Sequence, residues 1–340
     1  MEAIHPGTLL AASETATQNL SIFAPASPAA QSIQDLAILT GAIFALILVL
    51  VEGILLYNIW RFRARAEVTA EPAQVYGSQP VEIAWTTAPT LIVFFLILAI
   101  TRTLWQAKAA QPAPQLDDHA LFVKVIGHQW WWEYRYETYD GRPLNFTTAN
   151  ELHMPVSETG QPRRVHLTLE SADVCHSFWV PRLNGKMDLL PGRTNYLMLE
   201  TELPGLFLGQ CAEYCGDQHA NMLLRVIVEP PAEFERWLAN ESAPAAENVA
   251  VQTGREAFMA ESCVNCHRIR GTPAEGTFGP DLTHLMSRQT LASGEIPNSP
   301  ENLTDWIHNP QTTKPGCLMP AFDLSETRLE AIVNYLLTLR

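Results

Sequence analysis

Residues 209–222 read GQCAEYCGDQHANM, and this stretch decides what the centre of the chain is. It places Cys211, Cys215, His219 and Met222 on a single short segment. Another histidine, His176, lies 35 residues before Cys211 in SADVCHSFWVP (171–181). Two thiolates, two imidazoles and a thioether are soft and borderline donors, which select copper over calcium or magnesium. A mononuclear blue-copper site uses one cysteine, two histidines and a weak methionine. The second cysteine here suggests thiolates bridging two metal ions. Structural zinc is the competing reading, but it leaves Met222 without a purpose, and zinc sites usually show two close ligand pairs. A disulfide between Cys211 and Cys215 would leave both histidines unexplained.

Outward from this stretch the pattern is β-rich. LFVKVIG (121–127), WWWEYRYE (130–137), RVHLTLES (164–171), NYLMLET (195–201) and LRVIVE (224–229) alternate or carry β-branched and aromatic residues. Turn residues in DGRP, ETGQP, LPGR and LPG separate them. Short strands at this spacing predict a β-sandwich or barrel over 109–240, entered through the linker AAQPAPQ (109–115). Met154, Met187 and Met198 read as core residues, and His128, His153 and His166 as structural or exposed.

Beyond it, the low-complexity stretch ANESAPAAENVA (239–250) predicts a hinge into a further domain over 241–340. There Cys263-Val-Asn-Cys266-His267 carries the Cys-x-x-Cys-His signature of c-type haem attachment. Both thiols add across the haem vinyls and the adjacent imidazole reaches the iron. A thioredoxin-like motif would need a βαβ setting, whereas the surroundings here are helical. SETRLEAIVNYLLTLR (325–340) carries an apolar helical stripe. The second axial ligand should be Met or His. Met319 in KPGCLMPAF is the first candidate, with His284, His308, Met259 and Met286 behind it. Cys317 reads as a free thiol.

Before the β-rich part lie two apolar stretches, 36–60 and 83–105, each long enough to cross a bilayer. Glu52 is the charge within the first, Arg102 sits near the end of the second, and Pro89 lies near the second's start. Trp60, Trp85 and Trp105 mark the ends as interfacial aromatics do. The link carries Arg61, Arg63 and Arg65, and the first 35 residues carry no Lys or Arg. The positive-inside rule therefore puts the link in the cytoplasm and both termini on the outer face. An uncleaved signal peptide over 1–30 lacks a basic start and an apolar centre. Glu82, at the cytoplasmic mouth of the second span, reads as a solvated helix-start carboxylate or as a functional acid.

Composition agrees. At 340 residues the chain is too long for one ordinary domain. Charged residues make up 17%, against about 25% in soluble domains, as a membrane portion requires. A net charge of −14 argues against nucleic acid and suits a basic partner. Six cysteines, all after residue 174, are too few for a disulfide scaffold.

The quoted motifs, with GHQWWW (127–132), closely resemble subunit II of haem–copper cytochrome c oxidases over about 30–235. With the haem segment they resemble the caa-type branch, which carries a fused cytochrome c. The resemblance implies a two-helix transmembrane hairpin (36–108) after an outer segment (1–35). A cupredoxin-like β-barrel (109–240) and an all-α class I cytochrome c domain (241–340) follow. It implies that Cys211 and Cys215 bridge two coppers, that His176 and His219 each bind one, and that Met222 is a weak ligand. Glu213 would bind copper through its carbonyl, and its side chain would help hold magnesium at the interface with the catalytic subunit. Trp130 matches the tryptophan through which electrons enter, Asp173 an acid beside the copper, and Glu82 a carboxylate at the mouth of a proton pathway. Met319 matches the Met-Pro loop of small bacterial cytochromes c, and Pro280 the proline whose carbonyl accepts from the ligand histidine.

Two positions depart from the family pattern. Cys175 stands where an aliphatic residue is usual, and strand alternation predicts a small buried hydrophobe there. Trp131 stands where Tyr is common. The implied function is electron delivery, in a bacterial plasma membrane, to a catalytic subunit that reduces oxygen and translocates protons. The donor would be cytochrome c or a quinol-oxidising complex. A copper-containing nitric oxide reductase subunit and a membrane-tethered electron carrier are the alternatives.

Overall fold

The computed structural model describes residues 20–63, 74–107, 120–158 and 160–340. Arg65, Lys108, the linker 109–115 and most of the outer segment 1–35 lie outside the described residues. The chain divides into two compact units. One spans Gln31–Lys108, and the other joins Met1–Ala30 to Ala109–Arg340.

The first unit is carried by two helices, α1 (Pro28–Arg61) and α2 (Gln79–Ala107). Both are apolar all round, and no residue of their most apolar stretches is buried. Such helices need lipid or protein around them. Helix α2 begins earlier than the apolar run, so Pro89 lies inside the helix rather than near its start. Neighbouring Thr86 and Thr90 hydroxyls donate to the carbonyls one turn back.

In the second unit, two five-stranded sheets form the β part. One has the order β3-β2-β1-β5-β8 and the other β4-β10-β9-β6-β7. The strands are β1 (Leu121–His128), β2 (Trp131–Tyr139), β3 (Arg142–Ala149), β4 (Glu151–Pro155), β5 (Val165–Ser171), β6 (His176–Trp179), β7 (Met187–Leu189), β8 (Asn195–Leu199), β9 (Gly205–Cys211) and β10 (Leu223–Glu229). Pairs β1/β5 and β4/β10 are parallel and the other ladders are antiparallel. Alternation fixes the register: Leu121, Val123 and Val125 on β1 are fully buried. Each such side chain contributes about 1.5–3 kcal/mol. Trp132, Tyr134 and Tyr136 on β2 fill the same core, Trp132 meeting Phe178 edge-on. This is the cupredoxin-like fold. Met154 is buried in it, and Met187 packs at its margin. His128 bonds Glu133, His153 bonds Glu229, and His166 stacks on Phe122, three structural arrangements.

Helix α3 (Pro231–Ser242) closes this core with Phe234 and Leu238. The stretch 239–250, expected to be a hinge, is instead a fastened strap. Its first part is α3, its Glu241 is buried, and Ala243 and Ala245 are hydrogen-bonded to His284 and Arg270.

The helical part holds α4 (Gln252–Ala260), α5 (Cys263–Cys266), α6 (Pro300–His308), α7 (Pro310–Thr313) and α8 (Glu326–Leu336). A two-stranded ribbon, β11 (Thr290–Leu291) with β12 (Ile296–Pro297), lies between α5 and α6. Ser299 and Ser325 cap α6 and α8, each accepting from a backbone N–H of the first turn. Phe258, Leu303, Ile307, Ile332, Val333 and Leu336 form its core. This part packs on the sheets. The buried Glu151 carboxylate on β4 accepts from the Gln289 and Thr290 amides and the Thr290 hydroxyl. Hydrogen bonds to a charged group contribute about 1.5–3 kcal/mol each.

Candidate metal centre and haem pocket

The copper-type residues come from one loop and two strand ends. Cys211 ends β9, Cys215 and His219 follow in the loop to β10, and His176 starts β6. Sγ of Cys211 and Sγ of Cys215 are 3.8 Å apart, well beyond the ~2 Å of a disulfide. His176 Nδ1 is 3.9 Å from Cys211 Sγ, and His219 Nδ1 is 3.6 Å from Cys215 Sγ. Met222 Sδ lies 3.8 Å from Cys215 Sγ, and the Glu213 carbonyl oxygen lies 3.2 Å from Cys211 Sγ. All six sequence-predicted positions therefore meet around one pair of sulfurs. His176, Cys211 and Cys215 alone place their ligand atoms within 4.8 Å of one another, close enough to hold a metal ion.

Electrostatics follow from the crowding. The hydrogen bond from Cys215 holds the Cys211 thiol down at about 3, against the cost of burial. The same bond, with burial, pushes Cys215 up. Burial opposes a charged His176, but the bonds to Asp173 and Cys211, with the charges of both partners, together outweigh it and raise the imidazole.

Asp173 organises one side of this site. Its Oδ1 accepts from His176 Nε2 at 2.8 Å, and its Oδ2 accepts from the Gln129 amide at 2.6 Å. A carboxylate on Nε2 fixes the tautomer and leaves the Nδ1 lone pair facing the sulfurs. Gly127 makes room for the ring: a Cβ there would lie 2.7 Å from His176 Cδ2. Cys175 is exposed, not buried as alternation predicted. It precedes the first residue of β6, so the strand rule does not reach it.

Trp130 lies at the edge of this site, only 9% exposed. Its indole donates to the Cys215 carbonyl at 3.0 Å, and Gln129 Nε2 donates to the same oxygen at 2.7 Å. The Glu213 side chain is exposed and 3.7 Å from Lys186. In the separate helical unit, Glu82 lies in the first turn of α2 and is exposed, its Oε1 3.3 Å from the Ser78 amide. Glu52 lies on the exposed surface of α1.

The second site is a largely apolar cavity of about 360 Å³. Cys263, Cys266, His267 and Met319 line it, among Phe278, Leu282, Leu303, Trp306 and Ile332. The His267 ring bonds the Pro280 carbonyl at 2.7 Å. A carbonyl only accepts, so Nδ1 carries the proton and Nε2 is left for iron. Burial holds this imidazole below the usual histidine range, in the neutral form a ligand needs. At Gly279 a Cβ would press 2.7 Å from the His267 ring. The thiol pair, a neutral histidine, an apolar slot and a thioether on its wall fit a c-type haem. Of the other ligand candidates, both ring nitrogens of His284 are engaged by the Arg340 and Ala243 carbonyls. His308 is exposed, and neither Met259 nor Met286 lines the cavity. Gln311 Nε2 bonds the Cys317 and Met319 carbonyls and lies 3.3 Å from Cys317 Sγ, holding the Met319 loop.

The wall of this cavity was not legible in the sequence. Gln129, Trp130, Trp131 and Asn150 from the β part line it alongside the haem-type residues. So does Lys314, which is 2% exposed. No sequence signal separates a buried lysine from the solvated ones, and packing between two parts of a chain leaves no periodicity to read.

Three family models match: cytochrome c oxidase subunit II, transmembrane domain, at 15–101; its periplasmic domain at 121–229; and cytochrome c at 251–340. Cytochrome c oxidase subunit 2 of Alkalihalophilus pseudofirmus is 36% identical, over 95% of this chain and 92% of that one. The Bacillus subtilis protein of the same name is 30% identical, over 93% and 91%. The periplasmic domain of cytochrome oxidase subunit II from Bradyrhizobium japonicum is 28% identical, over 38% of this chain and 96% of that structure, with a TM-score of 0.32. With its two apolar helices, its paired-sheet copper-type site and its histidine-lined haem pocket on one chain, the protein belongs to the cytochrome c oxidase subunit II family and carries a fused cytochrome c domain.

Proposed function

We propose that this chain receives electrons at its helical C-terminal part and delivers them, through a dinuclear copper site, to the catalytic subunit of a proton-translocating oxidase. The observation that carries the reading is the shared wall: Trp130 borders the haem-type cavity and also bonds the Cys215 carbonyl beside the copper-type sulfurs. When bound, haem and copper supply reversible one-electron chemistry.

The chain's residues set that chemistry up. Cys263 and Cys266 would anchor the haem, His267 and Met319 would offer ligands to its iron, and Pro280 orients His267 through its carbonyl. Cys211 and Cys215 would supply the thiolates of the copper site, with His176, His219, Met222 and the Glu213 carbonyl completing the donor set. Asp173 fixes His176. The Glu213 carboxylate, exposed on the surface, suits a magnesium ion shared with the catalytic subunit. Glu82 serves the mouth of a proton pathway, its position at a helix start being consistent with water access.

For topology, Arg61 and Arg63 after α1 favour a cytoplasmic link and redox domains on the outer face, where c-type attachment takes place. On this reading the chain sits in a bacterial plasma membrane. A net charge of −14 suits a basic cytochrome c as donor, and direct docking of a quinol-oxidising complex is the other source.

The test is oxygen uptake by the detergent-extracted complex that co-purifies with this chain, driven by an artificial donor, with nitric oxide as parallel substrate. Rapid cyanide-sensitive oxygen uptake is expected. Nitric oxide consumption with little oxygen uptake would move the chain to a reductase. Activity with neither, from a chain that purifies alone, would make it a tethered carrier.

A further inference from the structure

Lys314 is the one buried lysine among the described residues that neither site uses. It stands at the root of the Met319 loop, directly after α7. Its ammonium donates all three protons to backbone carbonyls. These are Asn221 at 2.7 Å, Trp130 at 2.9 Å and Ala292 at 3.0 Å. Trp130 and Asn221 belong to the β part, and Ala292 to the ribbon of the helical part. Asn221 lies between His219 and Met222. The contact is returned from the other side, where Gln218 Nε2 donates to the Pro315 carbonyl at 2.7 Å. Residues 218–222 and 314–315 are thus locked both ways.

We infer that Lys314 is a positioning residue, which clamps the Met319 loop of the haem pocket onto the His219–Met222 and Trp130 segments of the copper-type site. The inference rests on the electron-delivery reading above. Three independent features support it. The three acceptors satisfy the ammonium completely, and they come from three separate chain segments. Among the described residues no carboxylate is hydrogen-bonded to it, so its three hydrogen bonds all go to backbone carbonyls and its place is set by the fold of both parts. Burying such a charge costs several kcal/mol unless every proton is matched, and here every proton is. Removing the charged head leaves three buried carbonyls without partners.

The consequence is a fixed haem domain and not a swinging one. The buried Glu151 carboxylate, with its bonds to Gln289 and Thr290, is a second fastening well away from Lys314 in sequence. Ser293 is a third, exchanging bonds with Leu223 through its carbonyl and its hydroxyl. Fixed geometry matters because electron transfer slows as the separation of the two centres grows.

The test compares the full chain in its complex with Lys314→Met, which keeps the stem and loses the head. Hydrogen exchange is read at the Leu223, Gln289 and Thr290 amides, which all bond across the contact. Electron transfer from haem to copper is followed in parallel by rapid mixing, and the absorption and EPR spectra of each centre are recorded. The expected result is at least about tenfold faster exchange at those amides and at least about tenfold slower transfer, with both spectra unchanged. Exchange and transfer within about twofold of the parent would overturn the inference. So would loss of the methionine-ligand signature of the haem, which would make Lys314 a pocket residue only. Glu151→Gln loosens the same contact without touching Lys314 or any candidate ligand. It is expected to shift exchange in the same direction by a smaller factor, and no shift in either variant refutes the clamp. If the parent itself shows no transfer between the centres, the electron-delivery reading fails, while the exchange data still judge the clamp.

Discussion

At the scale of single residues, the copper-type site depends on atoms that hold no metal. Asp173 holds the tautomer of His176 and, through the Gln129 amide, the segment that carries Trp130. Asp173→Asn keeps the shape and weakens both bonds. It is expected to lower copper affinity about 10–100-fold, measured by competition with a chelator of known strength. Equal affinity for both proteins would show that the carboxylate does not support His176. Gly127→Ala acts by volume. Its Cβ would meet the His176 ring at 2.7 Å, so the ring or strand β1 has to move. The expected result is a loss of about 1–3 kcal/mol in stability and copper bound at less than the parent's stoichiometry, read by metal analysis and thermal melting. The donors Cys211, Cys215, His176, His219 and Met222 stood out in the sequence because soft ligands on a short segment are chemically distinctive. Gln129 and Gly127 did not, since they act through a backbone amide and an empty space.

At the scale of elements, the legible strands were β1, β2, β5, β8 and β10, whose segments alternate or carry β-branched and aromatic residues. Strands β6 and β7, with four and three residues, are too short to show a period, and they depend on their sheet neighbours for definition. The strap 239–250 misled for a related reason. Its composition is that of a flexible linker, yet Glu241 is buried and its backbone is bonded to the helical part. Strand β2 also carries a charge inside a core. Burial alone would raise the Glu133 carboxyl, but bonds from His128 and Arg135 outweigh it and hold the group below its ordinary 4.5. Its folded value is thus below its unfolded one. The stabilisation is complete above about 4.5 and disappears as pH falls through the lowered value. Glu133→Gln, which cannot ionise, is expected to melt with a flatter pH dependence than the parent over that acid range. Tryptophan fluorescence on thermal scans would measure it, and parallel curves for the two proteins would rule this role out.

At the scale of the whole molecule, two kinds of contact carry electrons along the proposed route, and they differ in how salt acts on them. Between the β part and the helical part the contact is built from Glu151, Lys314, Gln218 and Ser293, whose bonding atoms are largely out of water. Salt screens exposed charges over about 8–10 Å and buried ones much less. An external donor meets a different surface, that of a chain with net charge −14, and a basic donor is steered to it through water. The internal step should therefore ignore ionic strength while the external step should not. Raising salt from about 0.02 M to about 0.5 M is expected to change haem-to-copper transfer by less than about twofold, and to slow turnover on a basic cytochrome c severalfold. Rapid mixing measures the first and steady-state oxygen uptake the second, on the same preparation. If the internal step slowed along with turnover, the two parts would be associating through their charged surfaces. The chain would then be a tethered pair of domains, as its linker-like composition suggests, and not the fastened unit its buried bonds describe.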